Sequence, residues 1–536
     1  MVNTSGELKV VSAPGEALQT SGRASSVRSE NSEATLSIIV RQLERLYEER
    51  NLPVLARTIE DHLLAAHFGL EPSIFQAMLT SIVDGGVDER GLARGILSIF
   101  SADNDKTKGC APDSGSPDPP FSAEFMRLVG AIMKLRLAGR AHLTPELMLQ
   151  LDVIDNRMGS MTPLFSDSSG MAVLLPVQLG ITALLAGEPR RALDCFVRAQ
   201  MQPMVPSLAF LTRDAYAKEA LLHGAFGRPS DVQRALTKVD TIPRLHSWVE
   251  PGIDATIELA LAFTEVADSE AAIKRLDSIP LHSLGEMWPF YVIALRRTLC
   301  RAGRYRELLD RLASLERTPL AKIPGEGVAG SVFPVARVNV SIAKGDLDAA
   351  RHLLKGADPA YVATEVALLD IELAAGRHHH ALKVAKRIGS RDGIRMWKID
   401  VWRIAGMSAA YLRLEKFEEA REALLLALSG GLESEDLDAF PDDVLDFAAS
   451  TIDGWPARDG RSPRVVNSLP DGSARLTGRE FEILRKLAQD KSQKEIANEI
   501  FVSSNTLKTH IKAIYRKLGV SSREAAVLRA EREGWL

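Results

Sequence analysis

The feature of this sequence that most restricts its fold is a short signature recurring between helix-patterned segments. A glycine ends one apolar segment, and five positions later an Ala or Leu opens the packing face of the next. It occurs at Gly187 and Ala192 (AGEPRRALDCF), Gly303 and Leu308 (AGRYRELLDRL), Gly345 and Ala350 (KGDLDAARHLL), and Gly376 and Ala381 (AGRHHHALKVA). A degenerate copy joins Glu415 to Ala420 (LEKFEEAREAL), and Ala267 to Ala272 (ADSEAAIKRL) is a further candidate. Glycine suits a tight turn because a left-handed backbone costs it little, and a small residue at the start of the next helix allows close approach. The anchors step by 42 residues from Gly303 to Gly345, 31 to Gly376 and 39 to Glu415. These steps bracket the period of about 34 residues of tetratricopeptide helix pairs. The expectation is an all-α chain whose residues 121–453 form an irregular tetratricopeptide-like helical repeat array, with a generic helical bundle as the alternative.

The flanks divide the rest of the chain. Residues 1–34 are rich in Ser and Gly and poor in large apolar side chains, which reads as a disordered N-terminal tail. Ile38, Ile39, Leu43 and Leu46 begin a helical periodicity, so residues 35–102 are expected to form an N-terminal helical unit. A linker at 103–120 (DNDKTKGCAPDSGSPDPP from Asp103) separates it from the array. A second linker at 454–474 contains WPARDGRSPRVVNSLPDGS and leads to a final domain at 475–536.

Charge is distributed unevenly over these parts. The chain has a net charge of −4. From Arg475 to the end there are 13 Lys and Arg against 8 Asp and Glu, whereas the remainder has 53 against 62. An acidic body with a basic end points to a nucleic-acid partner for that end alone. Cys110, Cys195 and Cys300 are odd in number and far apart, which argues against a disulfide framework and for a reducing, cytoplasmic location. No signal peptide or membrane span is expected. The weakly polar run from Met171 to Ala186 is too short and holds Pro176 and Gln178.

The last domain reads as four helices. Thr477 and Glu480 form a capping box for the first, whose buried stripe is Phe481, Leu484, Leu487 and Ala488. Ser492 with Glu495 caps the second, and Ile496, Ala497 and Ile500 face its core. Ser503 or Ser504 caps the third, which runs to about Leu518 and stops at Gly519. Ser521 or Ser522 opens the fourth, which runs to Glu533. In helix three, Leu507, Ile511, Ile514 and Leu518 make an apolar stripe, and Lys508, Lys512 and Arg516 make a cationic one on another face. No Asp or Glu occurs between Ile500 and Arg523. A single-sign stripe repels itself unless phosphates neutralise it, and an α-helix fits the major groove of B-DNA.

The string LTGREFEILRKLAQDKSQKEIANEIFVSSNTLKTHIKAIYRKLGVSSREAAVL resembles the LuxR-type helix-turn-helix, in the version that ends large bacterial activators with helical-repeat sensor regions. The match runs through Leu476-Thr477, Arg479-Glu480, Lys494-Glu495-Ile496-Ala497, Val502-Ser503, Asn505 to His510 and Ile514 to Val520. The resemblance implies that Lys508, Thr509 and Lys512 face base edges. It also implies phosphate contacts from Lys494, Ser504, Asn505, Thr506 and Arg516. Two departures stand out: Asp490 replaces a usual Gly, and Gln493 a usual Asn.

The expected function is therefore a DNA-binding transcription regulator, not an enzyme, with no cofactor and no metal. Double-stranded DNA is its partner. RNA polymerase, a protein or small-molecule effector at the helical repeats, and a second copy of the chain on DNA are further candidate partners. The alternatives are a sigma-factor-like promoter subunit and a helical-repeat scaffold with a basic interaction tail. Several tempting motifs carry nothing. His378-His379-His380 reads as a polar turn, since consecutive helical residues point apart. Gly325 to Gly330 lacks the Lys and Ser or Thr that a phosphate loop needs after its last glycine. No other stretch fits that loop, so sensing is expected to run through protein or small-molecule contact and not a nucleotide cycle. His510, Trp397 and Trp402 read as packing residues.

Overall fold

Helix ends in this chain are set by one repeated turn. The computed structural model describes residues 35–89, 91–100, 121–158, 170–457, 478–489, 491–500, 502–518 and 520–532, and among them no strand occurs. Gly187, Gly303, Gly345 and Gly376 all have left-handed φ (86°, 69°, 76° and 72°), and so does Glu415 at 58°. In each turn the next N–H reaches back across the helix end. Glu188 donates to the Ala183 carbonyl, Arg304 to Leu299, Asp346 to Ser341, Arg377 to Glu372 and Lys416 to Tyr411, at 2.8–2.9 Å. This is the left-handed cap that absorbs orphan carbonyls at a helix C-terminus. Five positions on, Ala192, Leu308, Ala350, Ala381 and Ala420 are fully buried.

The signature therefore encodes a turn and a contact together, and two further copies escape it. Arg50 (φ 55°) and Gly139 (φ 74°) form the same turn, and Leu55 and Thr144 follow fully buried five positions later. Ala267 differs. Its φ is not positive, and the next helix is capped instead by the Asp268 carboxylate, which accepts from the Ala271 N–H at 2.9 Å.

The N-terminal helices are α1 (residues 35–48), α2 (Leu52–Asp61), α3 (Leu63–Gly69), α4 (Pro72–Asp84) and α5 (Leu92–Phe100). They enclose a core of their own around Leu43, Leu55, Met78 and Ile82. Leu36, Leu64 and Phe68 turn away from it and join the larger core of the repeats. Trp248 Nε1 donates to the His67 carbonyl at 2.9 Å and the Ser247 hydroxyl to that of Phe68 at 2.8 Å. The expected tail at 1–34 and the linker at 103–120 lie outside the described residues.

Helices α6 (Phe121–Leu137) and α7 (Pro145–Met158) lead into seven hairpins. These are α8 (Met171–Ala186) with α9 (Pro189–Gln200), α10 (Ala209–Phe226) with α11 (Pro229–Val239), and α12 (Glu250–Ala262) with α13 (Ser269–Ser278). Next come α14 (Trp288–Arg301) with α15 (Tyr305–Glu316), α16 (Gly327–Ala343) with α17 (Leu347–Leu354), α18 (Val362–Ala374) with α19 (His378–Gly389), and α20 (Trp397–Arg413) with α21 (Phe417–Ser429). A single helix, α22 (Asp442–Thr451), follows. The first helices of the pairs start 38, 41, 38, 39, 35 and 35 residues apart.

Composition sorts these helices into two layers. Among the first helices, α8 and α16 are apolar almost all round, and α10 and α18 are buried on most sides with their charged side chains, such as Arg213, Lys218 and Glu365, held in ion pairs. Among the second helices, α9, α11, α17 and α19 are amphipathic and bury one face. Each first helix packs on its own partner and on the first helix of the next pair. Close approach is bought by small residues: a Cβ on Gly180 of α8 would lie 2.5 Å from the ring of Phe196, which is fully buried.

The inner layer also closes on itself. Helix α8 touches α16, and α10 touches α20. The Arg228 guanidinium lies 4.0 Å over the Trp397 ring and donates to the carbonyls of Gly430 and Gly431, the latter at 3.0 Å and 203 residues away. Lys398 Nζ donates to the Gly224 carbonyl at 3.1 Å. Trp397 and Trp402 are therefore half-buried under arginines and not sealed in the core as their sequence suggests. Trp455, read as the start of a linker, packs edge-on against Phe440.

His378 to His380 open α19, where His380 Nδ1 stands 3.6 Å from Glu372. Among the described residues no group of His, Cys, Asp and Glu is placed to hold a metal ion. No described helix is long and apolar enough to cross a membrane.

Candidate nucleic-acid interface

Four helices make the C-terminal domain: α23 (Gly478–Leu487), α24 (Gln493–Glu499), α25 (Ser504–Leu518) and α26 (Arg523–Arg532). The last three are capped by serines. The Ser492 hydroxyl accepts from the Glu495 N–H at 3.3 Å while the Glu495 carboxylate accepts from the Ser492 N–H at 2.8 Å, a complete capping box. Ser503 is the cap of α25, its hydroxyl accepting from the Thr506 N–H at 3.1 Å, and Ser522 does the same for Ala525 before α26. Thr477, Asp490, Gly519, Glu533 and the side chains of Phe481 and Asn505 lie outside the described residues.

The apolar stripes meet in one core of Ile483, Leu484, Leu487, Ile496, Ala497, Ile500, Leu507, Ile511, Ile514, Leu518, Ala526 and Ala530. All four residues of the α25 stripe are in it. Ala488, expected in the α23 stripe, is exposed instead, because α23 ends at Leu487 and Ala488 falls in the turn; Ile483 takes the inward position.

The cations of the domain divide into two sets. One set is consumed by the scaffold. Arg523 spans the end of α23 and the start of the next turn, donating from Nε to the Leu487 carbonyl and from Nη1 to that of Lys491, both at 2.9 Å. Arg529 donates to the Leu518 carbonyl at 2.7 Å, closing the C-terminus of α25. Lys517 pairs with Glu480 at 2.7 Å, Lys486 with Glu499 at 2.6 Å and Arg479 with Glu482 at 2.6 Å, while Lys491 also reaches Glu499. Both ion pairs and hydrogen bonds hold the Glu495 and Glu499 carboxyls below their ordinary range: the Ser492 hydroxyl acts on Glu495, and the Lys486 and Lys491 ammoniums on Glu499.

The second set faces water. Lys494 on α24 and Lys508, Lys512 and Arg516 on α25 are exposed, and none has an ion-pair partner among the described residues. The three on α25 are spaced four apart, so they share one side of the helix. Ser504, Thr506 and Thr509 are exposed on the same helix, and the Thr506 hydroxyl lies 2.8 Å from that of Ser503. His510 is half-buried, and Gln493, one of the two unusual residues, begins α24 exposed. The scaffold cations carry no local mark that separates them from the exposed ones in sequence. Only a facing carbonyl or carboxylate distinguishes them. The positive end of the α25 dipole adds to the same field.

Residues 474–530 match the family model described as bacterial regulatory proteins, luxR family. Over 97 residues the chain is 36% identical to the probable transcriptional regulatory protein NarL of Mycobacterium tuberculosis (strain CDC 1551 / Oshkosh), covering 16% of this chain and 44% of that protein. Over 70 residues it is 40% identical to the HTH-type transcriptional regulator MalT of Yersinia pestis (strain Pestoides F), covering 13% of this chain and 7% of that one. The chain thus spans less than half the length of these curated relatives. Its C-terminal segment is a helix-turn-helix domain of the LuxR family.

Proposed function

We propose that this LuxR-family domain makes the chain a transcription regulator that reads operator DNA in the cytoplasm, with the helical array receiving the signal. The observation that carries the reading is the exposed side of α25, where Lys508, Lys512 and Arg516 have no carboxylate partner among the described residues and stand opposite a buried aliphatic stripe. A helix so divided has one face committed to its scaffold and one face whose charge is neutralised by phosphates.

In this reading Lys508, Thr509 and Lys512 reach base edges in the major groove. Lys494, Ser504, Asn505, Thr506 and Arg516 hold the flanking phosphates, with the helix N-terminus directed at one of them. The chain binds as a homodimer, placing two copies of α25 about 34 Å apart on a site with two-fold character. Residues 35–102 and 121–453 together form the sensing body, and 454–474 links it to the reading domain. RNA polymerase is the partner through which occupancy alters transcription.

The test is binding of the full chain to genomic DNA fragments, followed by footprinting of the retained ones. Protection of a two-fold site of defined sequence supports the reading. Equal binding to all duplexes leaves a repeat scaffold with a basic tail. Co-purification with core RNA polymerase lacking any other sigma factor favours a promoter subunit.

A further inference from the structure

Inside the closed turn of the array lies a cavity of about 140 Å³, walled by α12, α14, α16, α18, α20 and the 3-10 turn Ser434–Ala439. Its free space is on the order of ten times what one water molecule needs, so it suits a metabolite and not a peptide. The wall is unusually rich in charge. Four cations, Arg296, Arg297, Arg301 and Lys398, line it together with four carboxylates, Asp370, Glu435, Asp436 and Asp438, and with Trp402 and Phe263.

Its acidic and basic groups are not matched one to one. Asp436 is occupied by the Trp397 indole, which donates to it at 2.8 Å, and by the Glu433 N–H at 3.2 Å. Arg301 stands 3.6 Å from Asp438. Arg296, Arg297 and Lys398 have no carboxylate within 4.0 Å among the described residues. Arg296 Nη1 donates to the Asn339 side-chain oxygen at 2.8 Å. Arg297 donates to the carbonyls of Gly224 at 3.3 Å and Ala225 at 2.5 Å, and its buried Nε has no hydrogen-bond acceptor. Its guanidinium lies 4.9 Å from the Trp402 ring centre and 5.2 Å from that of Phe263. Among the described residues the hydrogen bond of Lys398 goes to the Gly224 carbonyl, with Asp436 and Glu435 acting on it at longer range.

Asp370 acts on Arg296, and Asp436 and Glu435 on Lys398, only at longer range and without a direct ion pair among the described residues, so the cost of burying these cations is only partly offset. The strain is visible in the groups themselves: burial pushes the Lys398 ammonium down to about 7 and lowers the Arg297 guanidinium well below its ordinary range. A planar fork of donors on an aromatic ring is also the arrangement that recognises an oxyanion in two-point fashion.

We propose that this cavity binds a small organic anion, its carboxylate or phosphate held by Arg296, Arg297 and Lys398 and its body resting on Trp402 and Phe263. Because Arg297 and Lys398 also donate to Gly224 at the end of α10, occupancy acts on the contact that closes the array. That regulatory consequence rests on the transcription reading above; the binding site itself does not.

The experiment uses the full chain. Calorimetric titration and thermal unfolding are run with benzoate, 2-oxoglutarate and inorganic phosphate, with uncharged benzamide as the shape-matched control for benzoate. At least one anion is expected to bind at one site per chain and raise the unfolding midpoint, while benzamide does neither. Binding by phosphate alone assigns the site to phosphorylated ligands, and binding by the carboxylates alone to organic acids. Affinity is expected to fall tenfold or more in Arg296→Gln and in Lys398→Gln, and also to fall in Arg297→Lys, which keeps the charge and so spares the fold but loses the planar fork. Binding of no anion at millimolar concentration, equal binding of benzamide and benzoate, or unchanged affinity in folded Arg296→Gln would overturn the proposal. Operator binding is measured on the same preparations. Loss of DNA binding with intact anion titration sinks the transcription reading alone, and the reverse result sinks this inference alone.

Discussion

The Lys517 ammonium sits 2.7 Å from the Glu480 carboxylate, with side-chain exposures of 18% and 6%, and so ties the start of α23 to the end of α25. The pair fixes the angle at which α25 is presented, and removing one partner leaves the other charge half-buried without its counter-ion. Glu480→Gln is expected to destabilise the C-terminal domain by about 2 kcal/mol. Hydrogen exchange of α23 and α25 in the full chain measures this, and unchanged protection of both helices would count against the role.

Two exposed lysines should separate in what they do. Lys512→Ala is expected to cost about 1–3 kcal/mol in operator affinity and to relax sequence choice at one position. Lys494→Ala should weaken binding to every duplex alike and reduce the dependence of log K on log salt by about one. Titrations over a range of salt, on operator and on scrambled duplex, distinguish the two. Identical behaviour of the two variants would refute the assignment.

The Gly–Ala signature predicts opposite outcomes at two of its copies. Glu415 adopts φ 58°, a conformation that L side chains tolerate poorly, so Glu415→Gly is expected to stabilise the array by about 1 kcal/mol. Gly376 adopts φ 72° with open space around it, so Gly376→Ala tests the backbone alone and should destabilise by about 1 kcal/mol. Urea unfolding midpoints at constant slope decide both.

Asp370 makes the array sensitive to pH. Burial pushes its carboxyl up to about 7, against the opposing pull of Arg296. Between the ordinary aspartate range and about 7 the folded chain holds a proton that the unfolded chain has lost. Stability from this group therefore falls as pH rises through that window, and the penalty is complete above it. Asp370→Asn should raise the unfolding midpoint at pH 8 and leave it nearly unchanged at pH 4. An equal shift at both values would argue that packing, not ionisation, is at issue.

Much of this is legible in the sequence. Gly187, Gly303, Gly345 and Gly376 announce themselves because a left-handed turn selects glycine. The α25 faces announce themselves because a buried stripe and a charged one obey the same helical period. Arg50 forms the same turn without glycine and gave no sign of it. The periodicity places Ala488 inward because a period does not state where a helix stops. The cavity was invisible for a different reason: nothing local separates a buried Arg297 from a surface arginine, and its partners Gly224 and Trp402 are distant in the chain. The contact of Arg228 with Trp397 is likewise a product of the superhelical path and not of any segment.

The meeting of α10 with α20 has a consequence for how the array comes apart. An open solenoid can fray pair by pair from its ends, because each repeat leans only on its neighbours. Here the second hairpin and the seventh clasp each other like the two ends of a bracelet. Neither end can peel away alone. Trimming α20 and α21 would strip the cover from α10, and the hairpins between them should melt in a single step.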